Sequence, residues 1–452
     1  MDFERVKKHF EEKGFQRSRS LRKEFQNKRT NYQSKTKIIG ITGSKGKSTV
    51  AYLIHEYLKR LNYKTILYSS IKIDSPASSY SNKVSKDIAL YNEKDILNMI
   101  AEVEAYAPDF LILEVNESTI DKKLTDLIDF DIKVLTNFNS KHNLDLYTEE
   151  EYLKIKKAFF KNSSKDTICI FGLQDYTKDV LEQFLTINDC HKKIYSSRHI
   201  AMTKGVNENI VDYLLYDLHH SLSGLDMKFL KNKKSYFLKT NLLMNYNALN
   251  ILGLVSVIDT LGLYDGQTLT KFLQDIKIPG RVEKYNFNNF MVIIDTQLSA
   301  ALYELYNYKQ KGLINNIIVV TGSFGYGYKN WDPKFNTTEF VKLRQKNRFF
   351  AADILKKYAD FVYLTENESG KEGVYDICLE LQNNLNNYVK SEIVLDREEA
   401  IKKAIKKAQT NDVILISGRG NRSILCDTET KAKVFRDKDI IIKHFDWEEY
   451  DG

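Results

Sequence analysis

The chain has 452 residues, a formal net charge of +8, 42% hydrophobic and 28% charged residues. That length suits two or three domains with their own cores, and the balance excludes a disordered chain. The lysines are scattered and no nucleic-acid-binding motif occurs, so the positive charge suits small anionic ligands and no nucleic-acid partner is expected.

The N-terminal stretch lacks the apolar centre of a signal peptide, and no apolar run approaches the roughly 18 residues that a membrane span needs. Cys169, Cys190, Cys378 and Cys426 show no C-x-x-C spacing, so neither a zinc site nor a disulfide framework is expected. A cytoplasmic protein without membrane contact follows, as a monomer or weak homo-oligomer. Residues 1–36 carry Arg17, Arg19, Arg22, Lys23, Lys28 and Arg29 and few apolar anchors after Phe15, which predicts a short basic arm.

From Lys37 the pattern becomes regular. The apolar run Ile38 to Ile41 predicts a buried strand; Gly43-Ser44-Lys45-Gly46-Lys47-Ser48-Thr49 follows, and then Val50, Leu53, Ile54, Tyr57 and Leu58 fall on one helical face. Strand, glycine loop and helix make a phosphate cradle, because the glycines let backbone N–H groups turn inward and the helix N-terminus adds partial positive charge. In that setting Lys47 reaches the β- and γ-phosphates of a nucleoside triphosphate and the Ser48 hydroxyl binds Mg²⁺. Counted from Gly43, the loop is two residues shorter than the general G-x-x-x-x-G-K-[ST] form. A surface turn before an ordinary helix is the alternative reading.

Asp109 to Val115 is a near-continuous apolar strand that carries Glu114 at its end, with Asn116 and Glu117 just beyond. Ile132 to Leu135 predicts another, followed by Thr136-Asn137 and then His142. Ligands of open α/β sheets bind at the carboxyl ends of strands, so Glu114 and His142 are candidate groups for holding Mg²⁺ or its waters. Glu149 to Phe160 begins acidic and ends basic, as a helix dipole favours. Thr167 to Phe171 predicts a strand, Leu225 to Leu238 an antiparallel hairpin and Asn247 to Leu261 a helix.

Pro279-Gly280-Arg281 punctuates the chain, and the strand–helix rhythm then restarts. Met291 to Asp295, Ile317 to Thr321, Phe361 to Thr365 and Val413 to Ser417 predict four strands, and Ala400 to Ala408 a helix. The loops Gly322 to Gly327 and Gly418 to Gly420 follow strands and so could face a ligand. The expected fold class is α/β: a central ATPase domain on a mostly parallel P-loop-type sheet over 37–280, and a Rossmann-like α/β domain over 281–452.

This series of motifs resembles the Mur ligase family, the ATP-dependent amide-forming enzymes that include the peptidoglycan amino-acid-adding ligases and folylpolyglutamate synthase. Thr42 to Thr49 matches the family's T-G-T-N-G-K-T-T loop, which accounts for the short spacing. Leu113-Glu114-Val115, Thr136-Asn137, His142, Leu144-Asp145 and the Glu150, Tyr152, Lys156 helix follow in family order. The resemblance implies that Glu114 and His142 serve Mg²⁺, and that Lys156 stands where many members carry a carbamylated lysine that holds it. It further implies an adenine contact from the Asn247 segment, and a junction at Pro279-Gly280-Arg281-Val282-Glu283 whose Arg281 serves the phosphates.

The implied reaction is ATP-dependent joining of a small or peptide-like acid to an amine through an acyl phosphate, with Lys47, Lys156, His142 and Arg281 as catalytic candidates and Gly43, Ser44, Lys45, Gly46, Lys47, Ser48, Thr49, Asn247 and Arg281 around the nucleotide. Several positions depart from the family pattern. Only a basic arm precedes the loop where cell-wall members carry a domain for the UDP moiety. Asn367-Glu368-Ser369-Gly370 replaces D-N-P-R, and Gly418-Arg419-Gly420-Asn421-Arg422 replaces G-K-G-H-E. A folylpolyglutamate-synthase-like ligase and a non-catalytic nucleotide-binding regulator are the alternatives.

Overall fold

The computed structural model describes residues 36–76, 93–140, 147–287, 289–326, 338–422, 424–426 and 432–444. Nearly all of the basic arm (1–35), the segment 141–146 with His142, Leu144 and Asp145, and Gly327 lie outside the described residues.

Ten strands build the first sheet: β1 (Lys37–Thr42), β2 (Thr65–Tyr68), β3 (Ile73–Asp74), β4 (Phe110–Glu114), β5 (Ile132–Leu135), β6 (Ile168–Gly172), β7 (His191–Ser197), β8 (Tyr213–His220), β9 (Leu225–Lys231) and β10 (Lys234–Thr240). Their order is β10-β9-β8-β7-β6-β5-β1-β4-β2-β3. From β2 to β8 by way of β4, β1, β5, β6 and β7, neighbours run parallel. β3 closes one edge antiparallel to β2, and the β9–β10 hairpin closes the other.

The chain leaves β1 toward β2 on one side and later resumes at β5 on the other. The turn after Thr42 therefore lies at a switch point, where an open sheet forms a crevice. β4 is buried at every position, as a strand covered on both faces must be. β7, with its His-Lys-Lys start, and β8 are strands that the apolar pattern did not predict.

The helix Glu149–Lys161 shows how local sequence sets the site. Thr148 and Glu151 form a reciprocal cap, with Glu151 N to Thr148 Oγ1 at 3.2 Å and Thr148 N to Glu151 Oε2 at 2.8 Å. Such a cap contributes about 1 kcal/mol. Tyr152, Ile155, Lys156, Phe159 and Phe160 then fall on one face and are buried. The spacing that buries the aromatics thus also buries one lysine.

The second sheet has six strands, β11 (Glu283–Asn286), β12 (Met291–Asp295), β13 (Ile317–Thr321), β14 (Phe361–Leu364), β15 (Lys390–Ile393) and β16 (Val413–Ser417), in the order β11-β12-β16-β13-β14-β15. It is parallel except for β11. Ile294, Val320, Ile414 and Ile416 pack against Ala400, Ile401 and Ala404 of the helix Arg397–Lys407. A small pair, β17 (Ile424–Cys426) and β18 (Ala432–Val434), follows.

Contacts divide the chain into two compact units. One holds the described residues up to His219 with Leu225–Asn241 and Asn245–Gln274; the other holds His220–Gly224, Leu242–Met244 and the described residues from Asp275 onward. Among the described residues no helix is long and apolar enough to cross a membrane.

Candidate active site

The loop between β1 and the helix Lys47–Arg60 is held from below by residues after β5. Ser44 N donates to Asn137 O at 3.1 Å, and Lys45 N to Asn137 Oδ1 at 2.9 Å. Lys45 O in turn accepts from Thr136 Oγ1 at 2.5 Å and Asn137 Nδ2 at 3.0 Å. Two glycines make this packing possible. Gly43 has φ +149° and a Cβ there would fall 2.0 Å from Thr136 Oγ1; Gly46 has φ +79° and its Cβ would fall 2.4 Å from Asn250 Oδ1.

Asn250 of the helix Tyr246–Thr260, which the sequence did not single out, thus packs closely against Gly46. Its Nδ2 donates to Oδ1 of the buried Asn247 at 2.9 Å.

Ser48 and Glu114 are brought together, with Ser48 Oγ donating to Glu114 Oε1 at 2.9 Å. The other carboxylate oxygen accepts from Ser69 Oγ at 2.8 Å and Ser70 N at 2.7 Å. Ser69 and Ser70 follow β2, which neighbours β4, so sheet order rather than sequence proximity aims Glu114 at the loop. A hydroxyl and a carboxylate in contact beside a glycine loop are oxygen donors of the kind that Mg²⁺ takes.

Lys47 Nζ donates to Gly43 O at 2.8 Å and lies 3.6 Å from Glu117 Oε1. Lys156 Nζ, fully buried, donates to Glu117 Oε1 at 2.6 Å, Thr42 Oγ1 at 2.9 Å and Gly43 O at 3.1 Å. Glu117 also accepts from Tyr152 OH at 3.1 Å, and that hydroxyl meets Ser44 Oγ at 3.0 Å. Burial alone would raise the Glu117 pKa, but Lys156 and Lys47 outweigh it and hold the carboxyl below the usual carboxylate range. Burial pushes the Lys156 amine down to about 8 against the pull of Glu117. Sequence reading noted Glu117 but gave it no role, because nothing local shows that a later helix sets a lysine against it.

Arg281 lies in the second unit, beside Gly280, and a Cβ on Gly420 would fall 3.3 Å from its Nη1. At the carboxyl ends of β14 and β16, Arg397 is fully buried; its Nε donates to Asp437 Oδ1 at 2.7 Å and its Nη2 to Ser417 O at 3.0 Å. Arg422 Nη1 donates to Glu368 Oε1 at 3.2 Å, and Arg419 Nη1 stands 3.9 Å from the same oxygen. Burial and the Arg397 charge push Arg419 down to about 10. Asn367 and Ser417 are buried, yet both amide atoms of Asn367 and the Ser417 hydroxyl have no hydrogen-bond partner among the described residues.

One further group, His55, Glu56 and Asp74, has metal-ligand spacing. Lys72 Nζ already bridges Glu56 at 2.6 Å and Asp74 at 3.0 Å, and Lys59 Nζ reaches Asp74 at 3.0 Å, so this is an ion-pair network.

Two family models match the chain: the Mur ligase middle domain over residues 41–258, and the Mur ligase, glutamate ligase domain over 280–420. UDP-N-acetylmuramyl-tripeptide synthetase of Borreliella afzelii is 25% identical over 426 residues, covering 91% of this chain and 77% of the relative. UDP-N-acetylmuramoyl-L-alanyl-D-glutamate--2,6-diaminopimelate ligase of Caldanaerobacter subterraneus is 24% identical, covering 87% of this chain and 75% of the relative. Among solved structures, folylpolyglutamate synthase of Mycobacterium tuberculosis with ADP and AMPPCP superposes with TM-score 0.62 at 17% identity, over 92% of this chain and 96% of that one. MurF ligase of Thermotoga maritima with ADP gives TM-score 0.59 at 18% identity, over 88% and 79%. These two likenesses concern the fold.

Proposed function

The chain belongs to the Mur ligase family, and on that premise we propose that it joins the carboxylate of a small or peptide-like acid to an amine at the expense of ATP. The γ-phosphoryl group passes to a carboxylate oxygen, giving an acyl phosphate and ADP. The amine nitrogen then attacks the carbonyl carbon, phosphate leaves, and loss of a proton from nitrogen completes the amide.

The observation that carries this reading is the pairing of the loop hydroxyl Ser48 with the strand-end carboxylate Glu114 at 2.9 Å, beside Lys47. Phosphoryl transfer asks mainly for positioning and for positive charge against the phosphate oxygens. Lys47 supplies that charge, and the backbone of Gly43 to Thr49 fixes the direction of approach. Ser48, Glu114 and His142 are the proposed holders of Mg²⁺, which when bound offsets charge on the phosphates. Arg281 is proposed as a further cation for them, and Asn247 as a group facing the base. Lys156 positions the loop through Gly43 O and Thr42. In the second unit, the amide of Asn367 and the hydroxyl of Ser417, which have no partner among the described residues, are proposed to meet the second substrate, since buried polar groups without partners are costly unless a ligand satisfies them.

ADP release in the presence of Mg-ATP and paired panels of acids and amines tests the reading. No release with any pair, by protein that still binds ATP, would overturn it. Lys47→Ala is expected to lower turnover about a hundredfold to a thousandfold with unchanged thermal unfolding. Folate-type acids form the second class in the panel, as the folylpolyglutamate-synthase-like alternative requires.

A further inference from the structure

Lys156 stands where the family resemblance implies a lysine carbamate, and its surroundings do not fit one. Its Nζ has three acceptors within reach: Glu117 Oε1 at 2.6 Å, Thr42 Oγ1 at 2.9 Å and Gly43 O at 3.1 Å. The Thr42 hydroxyl donates its own proton to Val115 O at 2.9 Å, so toward Lys156 its oxygen accepts. Three acceptors match the three N–H bonds of an ammonium group. A carbamate nitrogen keeps one N–H and ends in oxygens that only accept. Formed here, it would set a second anion against the Glu117 carboxylate and the Gly43 carbonyl, around a side chain with no exposure to water.

The charge that a carbamate brings is already present. Glu117 opens the short helix Glu117–Asp121 directly after β4 and Asn116, and one of its oxygens touches Lys156, lies 3.6 Å from Lys47 Nζ and accepts from Tyr152 OH at 3.1 Å. One encoded carboxylate thus ties the phosphate-binding lysine, the buried lysine and the tyrosine under Ser44 into a single arrangement.

We infer that Glu117 supplies, as a side chain, the negative charge beside the phosphate loop that a lysine carbamate would otherwise supply, and that Lys156 acts as an unmodified ammonium group that positions it. The use of that charge rests on the ligase reading; the chemical state of Lys156 does not.

The wild-type chain equilibrated with ¹³C-bicarbonate is expected to show no carbamate carbon by ¹³C NMR, and its Mg-ATP affinity by calorimetry is expected to be the same in CO₂-free and bicarbonate-saturated buffer. A carbamate signal that disappears in Lys156→Arg overturns the inference, as does affinity that needs bicarbonate. Glu117→Gln keeps the shape and removes the charge; it is expected to weaken ATP binding about tenfold to a hundredfold with Mg²⁺ present and less without it. No loss, or the same loss with and without Mg²⁺, overturns the role given to Glu117. Should that variant fail to fold, the label experiment still decides, because it uses the wild-type chain. Failure of the wild-type chain to bind ATP under any condition would instead remove the ligase reading and leave the NMR result standing.

Discussion

The loop after Thr42 and the loop after Ser417 are both glycine turns at the carboxyl end of a parallel strand, and they differ in what their polar atoms meet. Around the first, Thr136, Asn137, Ser69, Ser70 and Glu117 each hold a loop atom or a neighbouring charge. Around the second, the polar groups divide. Arg397 is bonded to Asp437 and to strand-end carbonyls, while Asn367 and Ser417, buried beside it, have no partner among the described residues. The first loop, proposed for phosphate, can be complete in itself because its ligand would be the same for every member of a fold that uses ATP. Among the described residues the second loop instead leaves hydrogen-bonding capacity open, as a loop proposed to discriminate among substrates would.

Removing the Arg397 charge tests the closed part of the second loop and carries the largest expected effect. Arg397→Met leaves Asp437 buried and unpaired and is expected to destabilise the chain by roughly 3–5 kcal/mol in urea unfolding. Adding Asp437→Leu should recover most of that loss. A single variant as stable as wild type would show that the pair is not the anchor of this loop.

Asn367→Leu sharpens the contrast from the open side. An unsatisfied buried polar group costs about 1–3 kcal/mol, so leucine, an apolar side chain with the same branching and number of heavy atoms, is expected to leave stability equal or higher. The KM for one substrate should rise roughly tenfold to a hundredfold, the value of a hydrogen bond to a charged group, while ATP affinity stays unchanged. Loss of stability together with activity would mean that Asn367 is structural, and the two loops would then be alike.

Much of this layout was legible in the sequence, for local reasons. β1, β4, β12, β13 and β16 are continuous apolar runs, and the helix Glu149–Lys161 announces itself by Thr148, three glutamates and a buried face. The glycine loop after Thr42 is read from contiguous residues. β7 and β15 begin with lysine or histidine and are strands because a neighbour pairs with them, which no local pattern records. The same holds for Ser69, Ser70, Glu117 and Asn250. Each is an ordinary polar residue in sequence, and each acquires its place only when sheet order or helix packing sets it against Glu114, Lys156 or Gly46. That Asn367 has no partner among the described residues is likewise a property of three-dimensional surroundings.

The smallest expected effect asks whether satisfied burial in the first unit extends beyond its loop. Lys133, on β5, is buried with its Nζ donating to Phe159 O at 2.8 Å and Asn162 O at 3.0 Å, over the rings of Phe130 and Phe159. Burial nevertheless pushes its pKa from 10.5 down to about 8, so these acceptors compensate only part of the lost hydration. The sign follows from proton counting. Between about 8 and 10.5 the unfolded chain still holds a proton that the folded chain has released, so this group adds stability as pH rises through that window and none as it rises below it. Buried tyrosines and the Cys169 thiol, raised by burial, act in the opposite sense at high pH, and Lys156 acts in the same sense as Lys133, so the quantity to follow is a difference. The stability of wild type relative to Lys133→Met should be flat below pH 8 and climb toward pH 10.5 in denaturant titrations. A difference that stays constant across that range would mean that the two carbonyls hold the ammonium group as well as water does, and the self-sufficiency of the loop after Thr42 would then be a general property of the unit around it.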